Sequence, residues 1–475
     1  MKKFKKRILI TGKFNILHYG HFQLLEFAKG LNSDLYIGLI DESKKEIIAS
    51  NESRKKNLQK IDFIKEIVTF TNLEDLFIKI KPDIVLKGSE HKDKKNKEKE
   101  LIKKYGGSLY FASGSNLKTT LEKNTDLLHH KTHQDSLNNY INKHSINLNK
   151  LIKIIDNFEK FKVIVIGDTI IDKYINCRLI GMSQEDKHLI SSQISSPQTE
   201  IGGAAFIAKN FSALCRETKF ISILGRGESE LIKNFSTETS LKTYFINDNS
   251  RKNTIKTRFL NDSNVIFRIN EFDNHIIDNE ICKKIEKIVD DNADNFDAIV
   301  CADYNYGCIN ISSVNKIFKK YRKQKFISVD CQISSQLGDI TKFNNIDLMT
   351  PTEHELRSSM SDNKSSILTL IDNFIKENNI KNLVLTLGSE GVLIPKVKNN
   401  ETFLHSLPAF NKSPLSVSGA GDVFLTFATL SLLQKNCNIF EASLISSIAA
   451  SVKTSYIEKK PVLKEEVKKI ISGLL

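Results

Sequence analysis

The chain carries 475 residues, 40% hydrophobic and 27% charged, with a net charge of +14. That length exceeds what one hydrophobic core serves, so two or three domains are expected, and the composition excludes a wholly disordered chain. Lysines are scattered and no basic block alternates with aromatics, so the charge excludes a nucleic-acid footprint in favour of a surface attractive to phosphorylated small molecules.

A first α/β series opens the chain. RILIT, then Leu35–Ile40, Glu66–Phe70, Asp83–Gly88 and Ser108–Ser113 read as strands, separated by helical stretches such as HFQLLEFAKGL and NLEDLFIKIK. Strands alternating with helices predict a parallel sheet covered on both faces. Residues 126–148 are polar, rich in Asn and His and without a strand; they read as a linker rather than a metal site, because His129, His130, His133 and His144 have no regular carboxylate or cysteine partners. A second series starts at Lys162–Asp168. It continues through Thr218–Gly225, Asp297–Tyr304, Lys325–Asp330, Asp347–Pro351 and Asn382–Ile394, ending in a helix opened by SGAGD. No repeat relates the halves, so two different domains are expected, at 1–125 and 149–475.

Seven cysteines form no CxxC pair and no zinc spacing, pointing to free thiols in a reducing cytoplasm. The first apolar run is too brief for a signal peptide, and nothing approaches the roughly 18 apolar residues of a membrane span. A cytoplasmic protein without a membrane partner is expected.

Two stretches carry chemistry. In TGKFNILHYGH, Thr11, Gly12, Lys13 and Phe14 follow a strand, where backbone amides of a parallel sheet meet ligands. His18 and His21 open the next helix, where N–H groups and the dipole favour anions, and Gly20 leaves room for a phosphate. Two imidazoles one turn apart can stabilise a phosphate gaining charge in a displacement. As a zinc site the HxxH pair is poor, having no further ligands nearby. In SGAGDVF, Gly419, Ala420 and Gly421 present amides to a polyphosphate, and Asp422 can take a proton from an attacking hydroxyl. A glycine-rich helix start with a first-turn acid is also a common structural device.

TGKFNILHYGHFQLLEFAKG with IKPDIVLKGSEHKDKKNKEKELIKKYGGSLYFASGS resembles the cytidylyltransferase-like nucleotidyltransferases, closest to the adenylyltransferase domain that makes ADP-heptose. The resemblance implies that His18 and His21 stabilise the α-phosphate transition state and that Lys87 and Gly88 line the nucleotide or sugar-phosphate site. It also places Arg54 at the substrate, Lys44 or Lys45 on phosphate, and Thr119 and Thr120 in the closing nucleotide motif. Asn15 and Lys118 depart from the family pattern, and ATP and CTP both remain open.

GDTIIDKY, EIGGAAFIAKN, NTIKTRF and SGAGD resemble the ribokinase-type carbohydrate kinases, closest to the heptose 7-phosphate kinase domain known fused to such an adenylyltransferase. In that familiar fusion the kinase comes first; here the order is reversed. The resemblance implies that Asp168 and Asp172 hold sugar hydroxyls while Gly202 and Gly203 admit the sugar. Thr386, Gly388 and Gly391 would border ATP, Glu355 would organise Mg2+ through water, and Asp422 would be the base. Thr352, Phe206, Gln332, Tyr306 and Ser416 replace family residues, leaving open an active kinase, a changed substrate or a fold kept for binding. The expected ligands are sugar phosphates, nucleoside triphosphates and Mg2+, and a homodimer through a small lid sheet is implied.

Overall fold

The computed structural model describes residues 6–15, 17, 21, 24–25, 28–29, 33–43, 47, 49–88, 96–112, 137–182, 190–194, 197–228, 232, 235, 240–261, 264–333, 338–362, 365–398, 401–411 and 413–474. His18, Gly20, Lys44, Lys45, Lys118, Thr119, Thr120, His129, His130 and His133 lie outside the described residues. The chain divides into two compact units: residues 1–146, 360–377 and 387–409, and residues 147–359, 378–386 and 410–475.

The first unit is built on β1 (Arg7–Gly12), β2 (Asp34–Ile40), β3 (Ile64–Phe70), β4 (Ile84–Gly88) and β5 (Ser108–Ala112), ordered β3-β2-β1-β4-β5 and parallel throughout. Ile8, Leu9 and Ile10 on β1 are all buried, as a strand covered on both faces requires. The Leu73–Ile80 helix begins where the Asn72 side chain accepts from the Glu74 N–H and ends at Lys81 in the left-handed region. It sets Leu76, Phe77 and Ile80 against Leu9, Val85, Leu101 and Ile102, each such fully buried side chain stabilising by roughly 1.5–3 kcal/mol. Strand order reverses between β1 and β4, which places the ligand crevice of such a sheet at their carboxyl ends. Two later segments belong to this unit. The Ile367 N–H donates to the Leu17 carbonyl at 3.2 Å, and Leu404 of the Glu401–Leu407 strand bridges Ile61.

The second unit holds a seven-stranded parallel sheet. It contains β6 (Lys162–Gly167), β10 (Glu217–Arg226), β11 (Leu241–Lys252), β14 (Ala298–Asp303), β15 (Phe326–Cys331), β16 (Leu348–Met349) and β17 (Asn382–Leu383), ordered β11-β10-β6-β14-β15-β16-β17. Val163–Ile166 at its centre are fully buried. The Ala420–Leu432 helix is buried almost all round, consistent with its run of apolar and small residues, as is much of the Ile439–Thr454 helix.

A second sheet in this unit contains β7 (Thr169–Met182), β8 (Ile190–Ile194), β9 (Gln198–Gly203), β12 (Thr254–Asn261) and β13 (Asn264–Glu271). Its order is β13-β12-β7-β8, with β9 also paired to β7. Strands β7 and β12 thus hold most of the motif segments GDTIIDKY and NTIKTRF, and β9 holds the start of EIGGAAFIAKN. Their charges alternate with apolar residues and share one face: Asp172 pairs Lys256, and Arg258 pairs Arg268. The opposite face exposes Val265, Phe267 and Ile269.

Candidate functional sites

At the crevice of the first unit, Gly12 has no side chain to obstruct Phe14, whose ring would stand 2.9 Å from a Cβ there. Phe14 takes a positive φ of 46° and is buried, its ring 5.0 Å from that of His21. The TGKF turn thus fixes His21 beside the end of β1. Lys87, at the end of β4, pairs with Glu98 at 2.6 Å, and Glu98 also accepts from Thr11 Oγ1 at 3.0 Å. Burial pushes the Glu98 carboxyl up, but the Lys87 bond outweighs it with help from Thr11, leaving the group below its usual range. Lys87 and Thr11 are therefore tied together across the switch point, with Gly88 next to them.

Arg54, read from the sequence as a substrate contact, is only 1% exposed. Its guanidinium donates to the carbonyls of Lys13 at 2.6 Å, Ile40 at 2.9 Å and Ala49 at 2.9 Å, and to Asn51 Oδ1 at 2.5 Å. Planar donors directed at three carbonyls make it a clamp on the TGKF turn rather than a group directed outward.

In the second unit the switch point lies between β6 and β14, and Tyr304, directly after β14, reaches a cavity of about 280 Å3. Ile170, Asp172, Gly203, Lys256, Arg258 and Arg268 line it from the lid sheet. Tyr304, Gln332, Val417, Ser418, Gly419, Asp422 and Lys459 complete it. Asp422 sits in the first turn of the Ala420–Leu432 helix and accepts from the Tyr304 hydroxyl at 2.8 Å. Burial raises the Asp422 pKa, opposed by the Tyr304 bond and by Lys459. A buried carboxylate with elevated basicity at an anion-receiving helix start suits a general base.

Gly419 opens that helix at φ 80°, and a Cβ there would meet the Phe206 ring at 2.6 Å. Phe206, standing where a sugar-binding Asn was expected, thus packs beneath the glycine turn. Nothing lies within 4 Å of the Cβ position of Gly421.

Asp168 does not line this cavity. Its Oδ2 accepts the Tyr304 N–H at 2.9 Å and the Tyr306 N–H at 3.4 Å, and its Oδ1 accepts the Cys308 N–H at 3.0 Å. Burial, then Asp303, raises its pKa to about 6. Arg251 holds the same loop from the other side, donating to the Tyr306 carbonyl at 2.9 Å. Asp172 does face the cavity, paired with Arg258 at 2.5 Å and with Lys459. Gly202 lies against that pair. Lys256 stands 5.1 Å above the ring of Tyr306, one of the residues that depart from the family pattern.

Glu355 and Thr352 form a reciprocal helix cap: the Thr352 N–H donates to Glu355 Oε2 at 2.7 Å, and the Glu355 N–H to Thr352 Oγ1 at 3.1 Å. The Thr386 N–H donates to the Pro351 carbonyl at 2.8 Å. Gly388 and Gly391 belong to the first unit, where they form the turn before the Val392–Lys398 strand.

Residues 160–457 match the family model for the pfkB family carbohydrate kinases. The chain belongs to that family. Residues 9–196 match the cytidylyltransferase-like model, giving the N-terminal part a nucleotidyltransferase-like fold. Among solved structures, this pfkB-family chain is similar to the phosphofructokinase-2 from Escherichia coli, with a TM-score of 0.53 at 14% identity over 66% of this chain and 99% of that one. A carbohydrate kinase from Agrobacterium tumefaciens has a TM-score of 0.51 at 18% identity, covering 66% and 98%. These likenesses establish the ribokinase-like fold. The bifunctional protein HldE of Helicobacter hepaticus is 25% identical over 61% of this chain and 60% of its own length. That of Campylobacter jejuni is 23% identical over 65% and 64%. The chain thus spans less than two thirds of these relatives.

Lys256 lies in the NTIKTRF segment, whereas no sequence pattern names Tyr304, Arg268 or Lys459. Arg268 follows from the alternation of β13. Lys459 pairs with Asp172 across 287 residues, a contact no local pattern announces.

Proposed function

We propose that this chain is a bifunctional enzyme of activated-sugar synthesis. In this reading residues 149–475 phosphorylate C1 of a sugar phosphate, a heptose 7-phosphate by resemblance, and residues 1–125 transfer a nucleotidyl group from ATP or CTP to a sugar 1-phosphate. The linker expected at 126–148 is shorter than the sequence suggests, because 137–146 belong to the first unit, where Leu137, Tyr140 and Ile146 are buried. The carrying observation is the placement of Asp422 beside a cavity to which Lys256, Arg258, Arg268 and Lys459 bring positive charge. Asp172 offsets part of that charge through Arg258 and Lys459, and the excess left by Lys256 and Arg268 matches a phosphorylated sugar better than a neutral one.

The attacking hydroxyl gives its proton to the Asp422 carboxylate as its oxygen bonds to the γ-phosphorus. The bond from that phosphorus to the β,γ-bridging oxygen breaks, and ADP leaves. The Gly419–Gly421 turn receives the phosphate charge. Magnesium, when bound, neutralises triphosphate charge. Asp330, whose pKa is raised by burial and by neighbouring Asp422, Glu355 and Asp303, and Glu355 through water are the residues that would hold it. Two hard oxygen donors fit a magnesium carried largely by phosphates, and the described residues contain no cluster of three or more ligating side chains. In the first unit, a sugar 1-phosphate oxygen attacks the α-phosphorus and pyrophosphate leaves, with His21 and, by the family resemblance, His18 as donors.

The cytoplasm is the proposed location; among the described residues no helix is long and apolar enough to cross a membrane. The exposed lid face with Phe267 supports pairing of two copies through that sheet. A panel of sugars, sugar phosphates and sugar 1-phosphates with ATP or CTP, read by product mass, tests the proposal. Phosphoryl transfer to a sugar phosphate, lost in Asp422→Asn, supports it. Absence of any phosphoryl transfer overturns the kinase half, and CTP-only nucleotidyl transfer overturns the heptose-adenylyl form.

A further inference from the structure

Lys453 stands in the last turn of the Ile439–Thr454 helix and is fully buried, at 0% exposure. Its Nζ has no hydrogen-bond acceptor among the described residues. A buried ammonium without an acceptor is strongly unfavourable and is kept where an anion arrives to meet it. Its position says where that anion would be. Lys453 Cε lies 3.4 Å from the point a Cβ on Gly419 would occupy, and the Phe206 ring bounds the same space at 2.6 Å. The glycine leaves the ammonium unscreened from the turn above it, while the aromatic ring keeps water away. Burial and Lys459 lower the Lys453 pKa, opposed by Glu200 and Asp422.

We propose that Lys453 is a phosphate-stabilising residue of the kinase site, supplying positive charge from behind the Ser418–Gly421 turn to the polyphosphate that this turn receives. The proposal rests on the kinase reading and deepens it. The nucleotide site then carries an internal cation fixed by the fold, in addition to the sugar-side cations Lys256, Arg258, Arg268 and Lys459.

The test compares the full-length protein with Lys453→Met, Lys453→Gln and Asp422→Asn. Thermal unfolding is followed without ligand and with MgATP, and calorimetry gives Kd for MgATP, tripolyphosphate and adenosine. The neutral variants are expected to unfold at the same or a higher temperature without ligand, since an unmatched charge is gone. They should bind MgATP and tripolyphosphate roughly ten- to a hundredfold more weakly, with adenosine affinity unchanged. Asp422→Asn should lose turnover while still binding MgATP. Wild-type affinity for MgATP in Lys453→Gln, with lower stability without ligand, would show a packing role only and overturn the proposal. Should Lys453→Met not fold, Lys453→Gln decides. If the wild-type protein phosphorylates no sugar and binds no MgATP beyond one equivalent, the kinase reading fails and takes this proposal with it; a second equivalent whose affinity is insensitive to Lys453 removes this proposal alone.

Discussion

The Tyr304 hydroxyl donates to Asp422 Oδ1 at 2.8 Å across 118 residues of chain, while the Tyr304 N–H donates to Asp168 at 2.9 Å. One tyrosine therefore connects the acid after β6 to the base in the glycine-turn helix. Asp168 fixes the loop, the loop fixes the phenol, and the phenol orients the carboxylate.

Removing that hydroxyl has a directional consequence. The Tyr304 bond lowers the Asp422 pKa against the effect of burial, so Tyr304→Phe raises it further. A general base works deprotonated, and the rising limb of the pH–rate profile moves to higher pH. Kinase kcat/KM at neutral pH should fall roughly ten- to a hundredfold, the scale of one hydrogen bond to a charged group. The deficit should shrink toward pH 9. A uniform loss at every pH would instead indicate a displaced loop.

The lid-sheet cations make a separate prediction about substrate class. Arg258 is only partly exposed, pairs with Asp172 and stands 5.3 Å from the Tyr174 ring. In Arg258→Met, Lys459 still neutralises Asp172, so folding is retained. KM for the phosphorylated sugar should rise roughly tenfold or more, with KM for ATP unchanged and little effect on a sugar lacking the phosphate. An equal rise for both sugars would remove the phosphate from the Arg258 site.

Lys256 gives that same site a pH dependence. Burial lowers its pKa to about 8, with Arg258, Lys459 and Arg268 adding to the shift and Asp172 opposing it. The ammonium is therefore present at pH 7 and lost as pH rises through about 8. KM for the sugar phosphate should climb between pH 7 and 9, and Lys256→Met should abolish most of that climb while starting from a higher KM.

The parallel sheets were legible in the sequence because strands buried on both faces read as continuous apolar runs, as in Ile8–Ile10 and Val163–Ile166. The lid sheet was not. Its polar face carries Asp172, Lys256, Arg258 and Arg268 toward the cavity, so the usual rule that polar residues point outward is inverted there. The SGAGD turn and Asp422 were readable as local patterns. Tyr304 and Lys459 were not, since their partners lie 118 and 287 residues away. The surroundings of Arg54 were hidden for a related reason: an arginine opening a helix reads as a ligand contact, and only the fold shows three carbonyls converging on it.

A pair of half-buried imidazoles makes the first unit sensitive to acid. His144 and His405 meet edge to face with ring centroids 4.9 Å apart. Burial, with Lys143 and Lys29, lowers the His144 pKa to about 4. Burial, with Lys143, His144, Lys29 and Lys396, lowers that of His405 to about 3. Asp62, 3.9 Å from His405 Nδ1, is the nearby opposing charge. Both folded values lie below the ordinary 6.5, so the unfolded chain takes up protons first on acidification. Their contribution is fully present above about pH 6.5 and is lost as pH falls through about 4 and then about 3. Denaturant midpoints should drop over that interval, and His405→Leu should flatten the drop. An unchanged slope would show that other groups control acid unfolding.

The Arg54 clamp makes the remaining prediction, on the nucleotidyl side. Its Nη1 holds both the Lys13 and Ile40 carbonyls, and its Nε holds Ala49. Arg54→Lys keeps the charge but replaces a planar fork by one point donor, so at least one buried carbonyl loses its partner at a cost of about 1–3 kcal/mol. The Lys13–Phe14 turn then loosens, and with it the 5.0 Å contact between Phe14 and His21. Pyrophosphate release should fall roughly tenfold or more through kcat, because a misplaced donor affects the transition state more than the bound substrate. A residue touching substrate would instead raise KM when replaced. A variant with normal kcat and raised KM would therefore return Arg54 to the substrate and overturn its role as a clamp.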